Sequence, residues 1–164
     1  GFRMPLPPKK RIWHTATGKS MFSVFKGVHE NVVVEGEDVM RLVTLRSHDQ
    51  YNTTIYAMDD RYRGVFGRRD VLFMNEQDMA AQGLEHGDRV DIHTALPGSA
   101  LTLEDITVVA YGIAPGTVGA YYPEANVLVP LNYLDEESGT PSYKSVPVRL
   151  TLRSKEIRPL AGGR

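Results

Sequence analysis

The chain has 164 residues, 41% hydrophobic and 24% charged, which suits one ordinary globular domain able to bury its own core. Its formal net charge of -1 lacks the strongly basic balance that nucleic-acid binding uses, and no apolar run approaches the roughly 18 residues of a membrane-spanning helix. With 0 cysteines it offers no disulfide, no thiolate nucleophile and no cysteine-ligated iron–sulfur or zinc site, which accords with a reducing compartment and points to the cytoplasm.

In chain order, residues 1–19 carry Pro5, Pro7 and Pro8 and are expected to be an extended linker leaving upstream domains. Six Lys or Arg precede the first acidic residue, Glu30, whereas Glu30 to Val148 holds 19 acidic and 8 basic residues. Short strands are predicted at Phe22–Phe25 and Val32–Val34, and a firmer one at Met40–Ser47, where Leu42 and Thr44 alternate against Val43 and Leu45. Residues 48–69 follow no period, but the interleaved Tyr51, Ile55, Tyr56, Met58, Tyr62 and Phe66 argue for an ordered, working loop. Val71–Met74 reads as a buried strand. Asn75 then caps a short helix with Glu76 and Asp78 in its first turn and Met79, Ala80 and Leu84 facing inward. Further strands are predicted at Asp88–Thr94, Leu101–Tyr111, Thr117–Tyr122, Val127–Pro130 and Ser145–Arg153, with turns at Pro97-Gly98-Ser99 and Ala114-Pro115-Gly116 and a polar loop over 132–143. No internal repeat stands out. Many short strands with glycine- and proline-marked turns favour a mainly β chain, a small closed barrel over 20–154 with one or two short helices, followed by a flexible tail at 155–164.

The common catalytic arrangements fail. No GxSxG elbow, phosphate-cradling lysine loop or HExxH helix is present. The five histidines (His14, His29, His48, His86, His93) are scattered and read as surface or hydrogen-bonding groups. Asp59-Asp60 and Glu136-Glu137 are neighbours only along the chain and read as solvated loop charge. No catalytic residue and no metal ligand is therefore assigned. Instead, Arg46 to Thr53 leaves a hydrophobic strand carrying an arginine, amides, hydroxyls and an aromatic ring. Tyr121 to Asn126 ends a strand in the same style, and Ser142-Tyr143-Lys144 follows the polar loop. Such a mixture can meet a heterocycle's paired donors and acceptors and a diphosphate. The arginines of Arg61-Tyr62-Arg63 and Gly67-Arg68-Arg69 either line an anionic path or form a basic loop facing solvent or other domains.

Five blocks occur in order: T-G-K-S-M-F (Thr17 to Phe22), T-L-R-S-H-D-Q-Y-N-T (Thr44 to Thr53), M-N-E-Q-D-M-A-A-Q-G-L-E-H-G-D-R-V (Met74 to Val90), G-T-V-G-A-Y-Y-P-E-A-N-V-L (Gly116 to Leu128) and P-S-Y-K-S-V-P-V-R-L (Pro141 to Leu150). Together they resemble the carboxy-terminal domain of molybdopterin oxidoreductases, particularly formate dehydrogenase-like alpha subunits. The resemblance implies a double-psi β-barrel that covers a molybdopterin guanine dinucleotide held by larger upstream domains of the same polypeptide. It implies that Arg46, Ser47, Gln50, Tyr51, Asn52 and Thr53 lie along the cofactor, with Tyr121, Asn126, Tyr143 and Lys144 approaching from other loops. Gln50 departs from the pattern, since several relatives carry histidine there. Molybdenum or tungsten and the iron–sulfur cluster are then bound by the remainder of the polypeptide, and this part is inactive alone, with neither nucleic acid nor membrane as partner. Two other readings use similar barrels: a protein-interaction domain like those at the front of some large ATPases, and a pyruvoyl-dependent decarboxylase cleaving itself at Gly98-Ser99.

Overall fold

A computed structural model describes residues 1–22, 36–135 and 138–154. The strands predicted at 22–25 and 32–34 (Phe22 apart), the pair Glu136-Glu137 and the 155–164 tail lie outside the described residues. The chain divides into two compact units, 1–33 and 34–164. In the first, Pro7–Lys10 forms a 3-10 turn instead of the extended backbone expected from three prolines. Pro7 and Pro8 occupy its opening positions, where a missing N–H leaves nothing unpaired.

The second unit holds β1 (Met40–Leu45), β2 (Val71–Met74), the helix α1 (Glu76–Ala81), β3 (Arg89–Thr94), β4 (Thr102–Ala110), β5 (Thr117–Tyr121), a 3-10 helix (Glu124–Leu128) and β6 (Val146–Ser154). The strands close a barrel in the order β1-β5-β2-β4-β3-β6. Pairs β1/β5 and β2/β4 are parallel. The other neighbours are antiparallel. Advancing every strand by three maps this order onto itself: β1/β5 becomes β4/β2, β1/β6 becomes β4/β3, and β2/β5 and β3/β6 map onto themselves. Two interlocked three-strand halves of this kind make the double-psi barrel, a repeat of topology that no sequence repeat announces.

Burial explains the register. β1 alternates buried Met40, Leu42 and Thr44 with half-buried partners, the period of a strand covered on one face. β2 is buried throughout, and its alternate residues serve different cores. Leu72 and Met74 join the main cluster with Val90, Ile92, Val108, Val118 and Leu128. Val71 and Phe73 turn the other way, against Val65, Val109 and Tyr121. Val65 belongs to the long loop, so that loop is packed onto the sheet, as its aromatic content suggested.

Two local expectations change. Val127–Pro130 is not a strand, because the segment before it winds into a 3-10 helix from Glu124 to Leu128. Ala125 and Leu128, three apart, bury together, which suits three residues per turn. Ala80 is exposed, since α1 has only six residues and buries Met79 alone. Its cap is as expected: Asn75 Oδ1 accepts from Gln77 N at 2.9 Å, while Nδ2 donates to Ile113 O at 2.9 Å. Asn75→Ala is expected to cost about 1–2 kcal/mol, read as a melting temperature lower by roughly 2–8 °C. Asn75→Asp, which keeps the acceptor, is expected to recover part of that loss.

Candidate functional site

Parallel β1 and β5 run in register from Arg41↔Thr117 to Leu45↔Tyr121, so their carboxy-terminal ends meet at one end of the barrel. β6 is antiparallel to β1 and β2 antiparallel to β5, so both of these strands begin at that same end. Four strand termini therefore bring together 44–53, 69–71, 121–126 and 143–146. The joins are direct. Tyr122 N donates to Leu45 O at 2.7 Å, and Thr44 N donates to Tyr143 O at 3.2 Å. Lys144 Nζ donates to Thr44 O. The two polar strand ends picked out from sequence lie on one surface.

Within that surface the residues divide into those facing outward and those holding the others. Arg46 is exposed and donates from Nη2 to Asn52 Oδ1 at 2.7 Å. Asn52 itself has φ 49, a left-handed geometry that asparagine tolerates. Tyr51 is 68% exposed at the base of the turn closed by Tyr51 N to Ile55 O at 2.8 Å, with Thr53 exposed inside it. Asn126 is exposed on the 3-10 helix, and the Tyr143 ring is half-buried. Lys144 Nζ lies 5.3 Å from that ring. Burial, and then the charge of Arg46, draws the Lys144 ammonium below its ordinary range.

Gln50, Ser47 and Tyr121 are engaged inside the protein. Gln50 Nε2 donates to Asn52 O at 2.7 Å and Tyr122 O at 2.6 Å, and its Oε1 accepts from Ser47 N at 3.0 Å. Its amide thus fastens the 46–53 loop to the end of β5. Tyr121 is 1% exposed and donates to Asp60 Oδ2 at 3.0 Å. Burial, and the bond to that carboxylate, push its hydroxyl's titration upward.

Residues that the sequence reading did not assign to the site hold this arrangement from inside. Asp60, read as solvated loop charge, is 2% exposed. Besides Tyr121 it accepts from His48 Nδ1 at 2.8 Å and from Arg63 Nη1 at 2.6 Å. Arg69 is 4% exposed and reaches Glu124 (2.6 Å), Ser47 Oγ (3.0 Å), Gln50 Oε1 (3.0 Å) and Tyr122 O (2.8 Å). Its guanidinium lies between the rings of Tyr56 at 4.3 Å and Tyr121 at 4.6 Å. Arg68 pairs with Asp70. Three of the four loop arginines therefore bind internal carboxylates; Arg61 is exposed against Tyr62. The close spacings of Asp60 with Arg63 and of Arg68 with Asp70 are local signals, whereas Glu124 lies 55 residues from Arg69.

Two cavities adjoin this end. One of about 310 Å³ is lined by Tyr122, Asn126, Val129, Pro130, Leu131, Pro141 and Tyr143. A larger one of about 600 Å³ shares Asn126, Val129, Pro130 and Leu131 but is otherwise walled by the 96–101 turn, Val127 and 132–133. That turn is ordinary: Gly98 has φ 73, and Ser99 N bonds Leu96 O at 3.1 Å. Among the described residues no group of three or more His, Cys, Asp or Glu is placed to hold a metal ion.

Residues 40–147 match a family model described as the molydopterin dinucleotide binding domain. The chain is 40% identical over 153 residues to protein YdeP of Escherichia coli K12, covering 92% of this chain and 20% of that protein. It is 46% identical over 156 residues to the uncharacterized oxidoreductase Rv2900c of Mycobacterium tuberculosis H37Rv, with the same coverage of 92% and 20%. The chain thus spans about a fifth of the length of these curated relatives. Acetylene hydratase from Pelobacter acetylenicus superposes with a TM-score of 0.50 at 16% identity, over 70% of this chain and 18% of that one, and shares the fold. The match over the barrel, and the strand ends it brings together, place this chain in the molybdopterin dinucleotide-binding domain family.

Proposed function

We propose that this chain is a non-catalytic cofactor-binding domain of a molybdopterin-dependent oxidoreductase of the formate dehydrogenase type, closing over a molybdopterin guanine dinucleotide. One observation carries the reading: Arg46, Asn52, Asn126, Tyr143 and Lys144 come from three separate segments and meet at the barrel end where β1 and β5 finish. Their chemistry fits the group. Two cations at one barrel end suit a diphosphate, exposed amides suit a heterocycle's edge, and aromatic faces suit a planar ring.

In this reading Arg46 and Lys144 offset the diphosphate charge, and the exposed amide of Asn126 meets a ring edge. Gln50 and Ser47 fix the loop that carries Arg46. The cofactor and its metal, molybdenum or tungsten, supply the redox chemistry when bound, while the domain excludes water and orients the pterin nucleotide. The metal ligand and the iron–sulfur cluster belong to upstream domains of the same polypeptide, which are the barrel's partner. Nucleic acid and membrane have no part, and the assembly works in the cytoplasm. Among the described residues no helix is long and apolar enough to cross a membrane.

In the full-length polypeptide, Arg46→Ala removes a charge-assisted contact and is expected to weaken cofactor retention about tenfold or more. Metal and nucleotide released from the purified protein by acid are the measure. Full content in the variant would overturn the role given to Arg46.

A further inference from the structure

Tyr122 and Tyr143 form a second feature of the same end. Their ring centroids are 6.4 Å apart with 33° between the planes. They wall the cavity of about 310 Å³, whose remaining lining is Asn126, Val129, Leu131 and two prolines, Pro130 and Pro141. The two tilted rings thus form an aromatic wall of that cavity. The volume lies at the low end for ligand sites, enough for one ring system and not for a whole dinucleotide.

Neither wall is loosely mounted. Tyr122 N bonds Leu45 O at 2.7 Å, and its carbonyl accepts from Gln50 at 2.6 Å and Arg69 at 2.8 Å. Tyr143 N bonds Pro141 O at 2.9 Å, and its carbonyl accepts from Thr44 at 3.2 Å. Both rings therefore stand on backbone pinned to β1 or to the loop that follows it, and little ordering is left to be done on binding. Asn126, with a carbonyl acceptor and an amino donor, lines the same cavity and is exposed. Lys144 Nζ, 5.3 Å from the Tyr143 ring, stands beside the slot.

We infer that this slot, the cavity walled by Tyr122 and Tyr143, holds a fused amino-oxo heterocycle against those rings, with the Asn126 amide on its edge and its phosphate directed toward Lys144 and Arg46. The inference rests on the proposed function above, and it says where one ring system of the ligand sits. Guanine and pterin share that edge, so both ends of the dinucleotide carry the required chemistry.

The test uses the full-length protein purified with its cofactor. Stacking on an aromatic face is worth about 5- to 150-fold in affinity per ring. Tyr122→Ala and Tyr143→Ala are each expected to lower retained dinucleotide by a factor in that range, whereas Tyr122→Phe and Tyr143→Phe keep it, with melting temperatures unchanged. Equal retention in all four variants overturns the slot while leaving the proposed function standing. A wild-type protein that carries no dinucleotide overturns the proposed function itself. Where an alanine variant melts well below wild type, photolabelling of cofactor-stripped wild-type protein with 8-azidoguanosine diphosphate decides. Label on Tyr122, Tyr143 or Asn126 supports the slot, and label elsewhere on the protein or none overturns it for guanine. Competition by free pterin, but not by guanosine diphosphate, against release of the bound cofactor assigns the pterin end; competition by neither overturns the inference.

Discussion

Arg69→Ala is expected to destabilise the chain by about 3–5 kcal/mol, the cost of emptying one side of a buried charged network. The guanidinium side chain is 3% exposed and its partner Glu124 is 32% exposed. Glu124 can be rehydrated; Ser47 Oγ, Gln50 Oε1 and Tyr122 O lose a donor they share, and two tyrosine rings lose the cation between them. The melting temperature is expected to fall by roughly 6–20 °C. Arg69→Lys keeps the charge but offers a compact ammonium in place of a planar fork, and is expected to recover less than half of the loss. Because Arg69 ties the 46–53 loop to the end of β5, the alanine variant is also expected to speed hydrogen exchange at Gln50 and Tyr122. A change of under 1 kcal/mol would show that the network has no such role.

Asp60→Asn is expected to cost about 3 kcal/mol and to change how stability depends on pH. Burial alone would raise the carboxyl's pKa, but hydrogen bonds from His48, Arg63 and Tyr121, with the charge of Arg63, outweigh it and hold the group below its ordinary value of 3.8. The sign follows from linkage. A depressed carboxyl contributes stability above its unfolded pKa near 4 and loses that contribution as pH falls through the folded value. The gap between wild type and variant is therefore expected to stay constant above about pH 5 and to shrink below about pH 4. The amide also presents an amino group to the Arg63 guanidinium, whose side chain is 15% exposed and left without its counter-charge. Denaturant unfolding at a series of pH values measures both effects. A gap that widens on acidification would contradict the assignment.

What sequence made legible was local. Alternation marked β1, a continuous apolar run marked β2, and Asn75 marked the start of α1. Family blocks marked the two polar strand ends, and the barrel topology joined them through parallel pairing across more than 70 residues, which no local period encodes. The segment 127–130 misled because its valines favour strands by composition, while burial of Ala125 and Leu128 on one side decided for a 3-10 helix over Glu124–Leu128. Asp60 and Arg69 misled for a related reason. Charged residues in a polar loop read as solvated, and only the packing of Val65, Phe73 and Tyr121 beneath that loop takes them out of water. Gln50 falls at a position expected to lie along the cofactor but departs from the family pattern there, and its amide in the structure is held by Ser47, Arg69, Asn52 and Tyr122.

The reading as a whole depends on which end of the barrel the pterin nucleotide meets. An electron cryomicroscopy structure of the full-length polypeptide with its cofactor measures this directly. The dinucleotide is expected against the ends of β1 and β5, within hydrogen-bond reach of Arg46 and Asn126 and beside Tyr122 and Lys144. A dinucleotide lying against the opposite barrel end, or touching no residue from 44 to 53, would contradict it.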